Sequence, residues 1–281
     1  MRGLSRSPET PAPESLGVRP RRTPRDGRAD SPAGDDQAGP RFLLSGGMSG
    51  MSFSFSDPRS FRRWAAGVSL ILAPALIVLS LVIDASSADG HEMLLAYAAN
   101  PVQTAWHSTL LHYGWVFFVP GIIGLVHVVR RRGVVLAHIA GAASVIGAIN
   151  MSSLMLSDIF HLAVYRQLPP EQAKVVTEAD NPAFSVVIPA WQLPGVILPL
   201  AGLVLLAAAV WRAGLAGWWF PASVLAGNAL FVSAPTGTMF FYLIGPVILL
   251  AGFGAMGLRL LRMSDDEWTP LPSPSPSAAA A

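Results

Sequence analysis

The sequence contains no cysteine among its 281 residues, and this absence excludes several kinds of site. Disulfides, thiolate metal ligands, iron–sulfur clusters and thiol nucleophiles all need cysteine, so the chain can form none of them. Lysine is nearly absent too, because Lys174 is the single lysine against eighteen arginines. Any metal or haem would have to be held by histidine, aspartate, glutamate or methionine.

Charged residues are also scarce. They make up 13% of this chain, whereas a soluble domain carries about 25%, and 52% of the chain is hydrophobic. The charges are missing from long apolar segments, which is typical of membrane proteins. The sequence has no Walker loop, no dinucleotide glycine motif and no ordered basic domain. We therefore expect the lipid bilayer to be its main partner, and no nucleic acid.

The two ends of the chain differ from its middle. Residues 1–58 are rich in arginine, proline and glycine and predict a disordered cytoplasmic tail, in which Met48 and Met51 are alternative translation starts. Residues 264–281 are of low complexity and predict a flexible cytoplasmic tail. The remaining part, 59–263, predicts a transmembrane domain.

Six apolar segments predict an all-α bundle of six membrane-spanning helices. In chain order they cover 64–83, 107–129, 133–160, 185–211, 217–235 and 238–261. Each of the two long connections predicts a short helix, one capped by Asp89 and ending near Ala99, the other starting at Pro169 and Pro170. Three prolines, at positions 189, 194 and 199, predict that the fourth span is bent or broken.

The basic residues predict the orientation of these helices. Seventeen of them lie on alternate connections, and the other connections hold only Arg166 and Lys174. This bias predicts a multi-pass cell-membrane protein with both termini in the cytoplasm. The segment 217–235 must then be a span, since otherwise Arg212 and Arg259 would fall on opposite sides. The arginines that set this topology are Arg62, Arg63, Arg130, Arg131, Arg132, Arg212, Arg259 and Arg262.

Small residues recur every fourth position in the third predicted span: Ala140, Ser144, Ala148 and Ser152. This spacing puts them on one helix face, where another helix could approach closely. We predict that this helix is central. The face could hold another helix of the chain, a second copy of the protein or another membrane protein.

Histidine and aspartate cluster at the ends of the second and third spans that lie away from Arg130–Arg132. Asp158 and His161 are three residues apart and share a helix face. Together with His112, and His107 as a possible fourth ligand, they predict a site for zinc or another divalent ion. An open coordination position would activate water for hydrolysis.

Ser108, His112 and Asp158 are similar to part of the motif set of the ceramidase-like membrane hydrolases, in which serine, histidine and aspartate lie near a zinc ion. This resemblance implies a metal-dependent hydrolase with an extracytoplasmic site. The later His-x-x-x-His pair of that family is absent. The core from Phe61 to Met263 also resembles, in its architecture, six-helix bacterial integral membrane proteins that are domains of unknown function.

Several functions therefore stay open. The preferred one is a multi-pass membrane protein that binds a small ligand or a partner within the membrane, and the hydrolase is the alternative. A second alternative is a b-type haem protein, since His112 and His127 lie fifteen residues apart, or about 22 Å along one helix. A transporter is the last, because the prolines of the fourth span, with Gln192 beside them and Asn228 in the fifth span, could form a broken-helix binding site.

Overall fold

The computed structural model describes residues 57–84, 86, 90–177, 182, 184–233 and 239–269. These residues form eleven α-helices and one π-helical turn and contain no strand, which confirms the all-α class. The helices are α1 Pro58–Val82, α2 Gly90–Ala99, α3 Pro101–Val128, α4 Val134–Met155, α5 Ser157–Gln167, α6 Pro170–Thr177, α7 Phe184–Val187, α8 Leu193–Arg212, α9 Trp219–Ser233, α10 Met239–Arg262 and α11 Asp265–Trp268, and the π turn is Ile188–Gln192. The short helices predicted in the two long connections are confirmed as α2 and α6.

Several predictions fall on parts of the chain outside the described residues. These are the N-terminal tail up to residue 56, with Met48 and Met51, the cap residue Asp89, and the C-terminal tail from residue 270.

Among the described residues, five helical segments are long and apolar enough to cross a membrane, one fewer than the sequence predicts. They are Pro58–Val82, Pro101–Val128, Val134–Gln167, Ser185–Arg212 and Tyr242–Arg262. The remaining candidate is α9, which is apolar but has only 15 residues. At 1.5 Å per residue it is about 22 Å long, whereas the hydrocarbon core of a bilayer is about 30 Å thick.

The longer helices pack in a closed ring. Helix α1 lies between α3 and α10, α3 contacts α4, α4 contacts α8, and α9 bridges α8 and α10. Inside the ring, the Phe253 ring of α10 stacks edge-on against Phe118 of α3 and Phe220 of α9, with centroids 5.1 and 5.5 Å apart. Burial of such aromatic side chains is a main contribution to packing in this core. Helix α9 is thus part of the bundle although it is short.

The small-residue face of α4 is covered by α8 of the same chain. Ala140, Ser144, Ala148 and Ser152 are all buried. A Cβ atom added to Gly202 of α8 would lie 2.5 Å from the Ser144 hydroxyl, so the two helices are in direct backbone contact there. This face is therefore occupied within the chain and is not available to a second copy or to another membrane protein.

The proline-rich fourth segment is distorted as predicted, but its helix is not broken. Pro189 lies within the π turn Ile188–Gln192, and Pro194 opens α8 directly after it. Proline lacks an N–H group and clashes with the preceding turn, so a wider π turn accommodates it in an otherwise continuous helix. Pro199, one turn further, is buried inside α8.

The C-terminal segment 264–269, which we call the C-terminal cap, departs from the sequence prediction. We predicted that a flexible tail starts at residue 264, but Ser264 caps α11 and forms a capping box with Glu267. The Trp268 ring is buried 4.6 Å from the His127 ring. It also lies 3.5 Å from the Cβ position of Gly124. An apolar side chain six residues beyond the last arginine therefore fixes this segment to α3.

Arg63 explains the position of the C-terminal cap. Its side chain is 1% exposed. Its Nε donates to Asp265 Oδ1 at 3.0 Å and its Nη1 to the Leu261 carbonyl at 2.6 Å. Sequence analysis placed Arg63 among the charges that set topology, at the membrane surface. In the fold its charge is buried and joins α1 to α10 and α11.

Candidate functional site

The ring has two ends that differ in their polar residues. The arginine end carries the α3–α4 turn with Arg130–Arg132, and the opposite end carries the last turn of α1, the first turns of α3, and α2 and α5. At this opposite end, buried and half-buried polar residues from neighbouring elements meet. We call five of them the Asp158 cluster: Asp84, Tyr97, His107, Ser108 and Asp158.

His107 links α3 to the end of α1. Its Nδ1 lies 3.0 Å from the Ser80 carbonyl oxygen, and the Ser80 hydroxyl donates to the His107 carbonyl at 2.9 Å. A carbonyl oxygen can only accept, so Nδ1 must carry the hydrogen and donate. The other ring nitrogen, Nε2, then faces Asp84, whose Oδ2 is 4.0 Å away. His107 is thus held in one orientation, with Nε2 directed at Asp84.

Asp158 is held by the residue next to His107. The Ser108 hydroxyl, which is fully buried, donates to Asp158 Oδ2 at 3.2 Å. Asp158 belongs to α5, which starts after a turn at Leu156, so it is not on α4 itself. The break between α4 and α5 lets α5 contact both α3 and α2 and carries the carboxylate over the end of α3.

Tyr97 of α2 covers the cluster. Its ring is buried, and its centroid lies 6.0 Å from that of His107. Burial raises the pKa of the Tyr97 hydroxyl, and the negative charges of Asp84 and Asp158 together with a hydrogen bond to Asp84 raise this pKa further. Asp84 and Asp158 thus both lie near the hydroxyl end of this tyrosine.

A second histidine lies deeper along α3. His112 Nδ1 is 3.0 Å from the carbonyl oxygen of Ser152 on α4 and 2.8 Å from the Ser152 hydroxyl. As at His107, the carbonyl assigns the hydrogen to Nδ1 and leaves Nε2 as the acceptor. Ser152 was predicted to pack helices, and in the structure it also orients this histidine.

The predicted metal ligands are found in the same region, but they are not gathered around one point. Within the described ranges, no group of three or more histidine, cysteine, aspartate or glutamate side chains is arranged to hold a metal ion. His112 bonds to Ser152, and Asp158 bonds to Ser108. His161 of α5 contacts the neighbouring Phe160 ring, at 5.8 Å between centroids. The metal site of His112, Asp158 and His161, with His107, stays a prediction.

His127, His138 and the polar residues of the transporter alternative bond to backbone carbonyls or are exposed. His138 is exposed and bonds to the Val134 carbonyl of its own helix, while His127 bonds to the Trp268 carbonyl. Gln192 is exposed in the π turn, whereas Asn228 is buried and donates to the Leu200 carbonyl at 3.3 Å. The haem and transporter alternatives stay predictions.

Sequence analysis found part of the cluster and missed the rest. It named His107 and Asp158 as candidate ligands and Ser108 through the hydrolase resemblance, but it gave no role to Asp84 or Tyr97. The sequence held a signal for Asp84. This residue follows the first predicted span, on the same side of the membrane where the second span begins with His107. Tyr97 gave no comparable signal, because its position depends on how α2 folds back over α3.

Comparisons with known proteins add no identification. No protein-family model, curated protein or solved structure matches this chain.

Proposed function

We propose that this chain is a cell-membrane protein with six spans and with both termini in the cytoplasm. The distribution of basic residues supports this topology, because seventeen of them fall on one set of connections and two on the other. The position of α9 supports it too, since α9 lies in the ring between α8 and α10. If α9 did not cross, Arg212 and Arg259 would lie on opposite sides.

The absence of cysteine makes this topology easy to test. Single-cysteine variants Ala213→Cys, before α9, and Thr236→Cys, after it, would be treated in intact cells with a membrane-impermeant maleimide. Six spans require labelling at position 236 and protection at position 213, with labelling of 213 only after the cells are opened. The same result at both positions, labelled or protected, would show that α9 does not cross.

We also propose that the Asp158 cluster binds a small ligand that is positively charged or donates protons. One observation carries this proposal: Asp84 lies 4.0 Å from His107 Nε2, and Asp158 accepts a hydrogen bond from the next residue, Ser108, so two carboxylates meet at one turn of α3. Among the described residues, neither of them pairs with an arginine or a lysine. Ionisable groups buried in membrane proteins usually mark substrate, ion or proton sites.

The chemistry of the cluster favours a cation. Buried carboxylates are costly unless they are paired and hydrogen-bonded. The groups left to receive a ligand are mostly acceptors: the carboxylate oxygens of Asp84 and Asp158, and Nε2 of His107. A small cation or a protonated amine would offset the negative charge and satisfy these acceptors together.

Thermal unfolding in mild detergent tests this binding. The probes are Na⁺, K⁺, Ca²⁺ and tetramethylammonium, added separately to the full-length protein. A cation at a hundredfold excess over its Kd stabilises by about 2.7 kcal/mol, which raises the Tm by roughly 5 to 10 °C. We expect this shift in the natural protein and in Ser153→Ala, and no shift in Asp158→Asn. Equal shifts in all three proteins, or none with any probe, would exclude a cation site there.

The hydrolase remains a second candidate because of one observation. His107 and His112 each donate Nδ1–H to a backbone carbonyl, which leaves Nε2 as the acceptor atom. Metal-binding histidines are oriented in this way. Elemental analysis of protein purified without a histidine tag tests it. Zinc near one ion per chain, lost in His112→Ala, supports a metal centre, and zinc at background level contradicts it.

A further inference from the structure

At the arginine end, two turns from different parts of the chain lie side by side. The α3–α4 turn contains Gly133, whose positive φ of +82° suits glycine. A Cβ atom on Gly133 would lie 3.1 Å from the Ala209 carbonyl oxygen and 3.6 Å from Arg212 Cβ. Arg132, next to Gly133, and Arg212, at the end of α8, therefore come from adjacent backbone segments.

These arginines are not neutralised by acidic side chains. Arg131, Arg132 and Arg212 are exposed, and none of them pairs with a carboxylate in the described part of the chain. The acidic residues at this end are engaged on the α1 side of the ring. Asp57 and Asp266 lie within 3.2 and 3.7 Å of Arg59, Asp265 pairs with Arg63, and Glu267 caps α11. The acidic side chains at this end are thus engaged away from Arg131, Arg132 and Arg212.

Exposed tryptophans lie next to this charge. Trp211 precedes Arg212 and is 49% exposed, and Trp218 and Trp219, after the α8–α9 turn, are 72% and 41% exposed. Tryptophan is enriched at the level of lipid headgroups, where its ring is partly in contact with acyl chains. We call Arg131, Arg132, Arg212, Trp211 and Trp218 the Arg212 patch.

We propose that the Arg212 patch binds the phosphate of an anionic phospholipid. Guanidinium groups bind phosphate through paired hydrogen bonds, and two adjacent arginines can hold the oxygens of one headgroup. The tryptophans beside them offer apolar surface for the glycerol and the upper acyl chain. A soluble phosphate has no apolar part that could contact these tryptophans, so the proposed ligand is a lipid.

Native mass spectrometry of the full-length protein in mild detergent tests the proposal. The probes are phosphatidylglycerol and phosphatidylcholine with identical acyl chains. The test variant is the double substitution Arg132→Gln and Arg212→Gln, and the control is Arg259→Gln and Arg262→Gln. The control removes two exposed arginines from the end of α10, so both variants lose the same charge at the same end.

We expect the natural protein and the control to retain phosphatidylglycerol over phosphatidylcholine. The test variant should bind phosphatidylglycerol roughly 25-fold more weakly, on the basis of about fivefold for each arginine at an anionic surface. If the double variant does not fold, Arg212→Gln alone replaces it, and this single variant should bind phosphatidylglycerol about fivefold more weakly. Equal loss in test and control variants would mean general charge attraction and would overturn the proposal. Displacement of the lipid by millimolar inorganic phosphate would overturn it as well.

Discussion

The two ends of the ring bury charge in opposite ways. At the arginine end, Arg63 is buried with Asp265 and two backbone carbonyls as partners, so its charge is matched. At the other end, Asp84 and Asp158 lie around Tyr97, and their partners are Ser108 and one histidine.

This difference separates structural charge from candidate functional charge. A buried charge with well-placed partners holds elements together, and removing one partner leaves the other uncompensated. A buried charge without an opposite charge costs stability, and such sites persist where a ligand or a reaction needs them. We therefore expect substitutions at the arginine end to affect stability, and substitutions in the Asp158 cluster to affect ligand binding.

The largest effect is expected at Arg63. Arg63→Ala leaves Asp265 and the carbonyls of Leu260 and Leu261 without their donor and should destabilise the protein by about 3 to 4 kcal/mol. Thermal unfolding in detergent measures this loss. Arg62→Ala is the control, because Arg62 is exposed and one position away, and it should change stability by no more than about 0.5 kcal/mol. If Arg63→Ala and Arg62→Ala destabilised the protein equally, the buried pairing of Arg63 would not be what stabilises this end.

A slightly smaller effect is expected at Trp268. Trp268→Ala removes a buried indole from the C-terminal cap and should cost about 3 kcal/mol, the lower end of the range for large aromatic residues. The cap would then detach, so limited proteolysis after residue 262 should become faster. Asp266→Ala, an exposed site in the same helix, should leave the cleavage rate unchanged. Unchanged proteolysis of Trp268→Ala would mean that Arg63 alone holds the cap.

At the other end, Ser80→Ala should cost about 1 kcal/mol. The substitution removes the hydroxyl that donates to the His107 carbonyl at 2.9 Å, and a typical hydrogen bond contributes about this much. The backbone carbonyl of Ser80 still accepts from His107, so His107 keeps its orientation. Both properties would be measured on the same sample. The variant should lose a little stability and should bind cations almost as well as the natural protein.

Asp158→Asn tests the comparison most directly. The amide oxygen can still accept from Ser108, and the charge is gone, so we expect stability to stay equal or rise by about 0.5 to 1 kcal/mol. Chemical or thermal unfolding without added cations gives this value. A loss of more than about 2 kcal/mol would falsify the view that Asp158 is an unmatched charge. Asp158 would then be, like Arg63, a paired charge that stabilises the fold.

The smallest effect concerns Tyr97. Because its pKa in the folded protein is raised above the ordinary 10.0, its contribution to stability is complete below pH 10 and is lost as the pH rises through the folded value. Tyr97→Phe should therefore leave the tyrosinate absorbance at 295 nm unchanged up to about pH 11. Since the chain has four tyrosines, a decrease of about one quarter would show that Tyr97 ionises normally.

Part of the fold could be predicted from local sequence. Long apolar runs, a proline at the start of α6 and small residues every fourth position in α4 are local patterns with local causes. The C-terminal segment 264–269 is the exception, because local sequence predicted it to be flexible. The run of Asp265, Asp266 and Glu267 is typical of a solvated segment, and only the contact of Trp268 with α3 shows that this segment is docked.

The candidate site was predicted less completely, for a related reason. His107, Ser108 and Asp158 could be named because they are polar residues next to apolar runs. Their grouping with Asp84 and Tyr97 depends on the turn at Leu156, which starts α5, and on the packing of α2 against α5. Neither feature has a local signature, since each is decided by contacts between residues far apart in the chain.

By itself, the sequence determined that this chain is an all-helical protein with several apolar helices, and it excluded every chemistry that needs cysteine. These conclusions depend only on composition and periodicity. The tertiary structure decided which charges are matched. Whether Arg63 is a surface charge or a buried link depends on where Asp265 lies, about 200 residues away. Whether Asp84 and Asp158 form one site depends on α1, α2, α3 and α5 meeting at the same end of the ring.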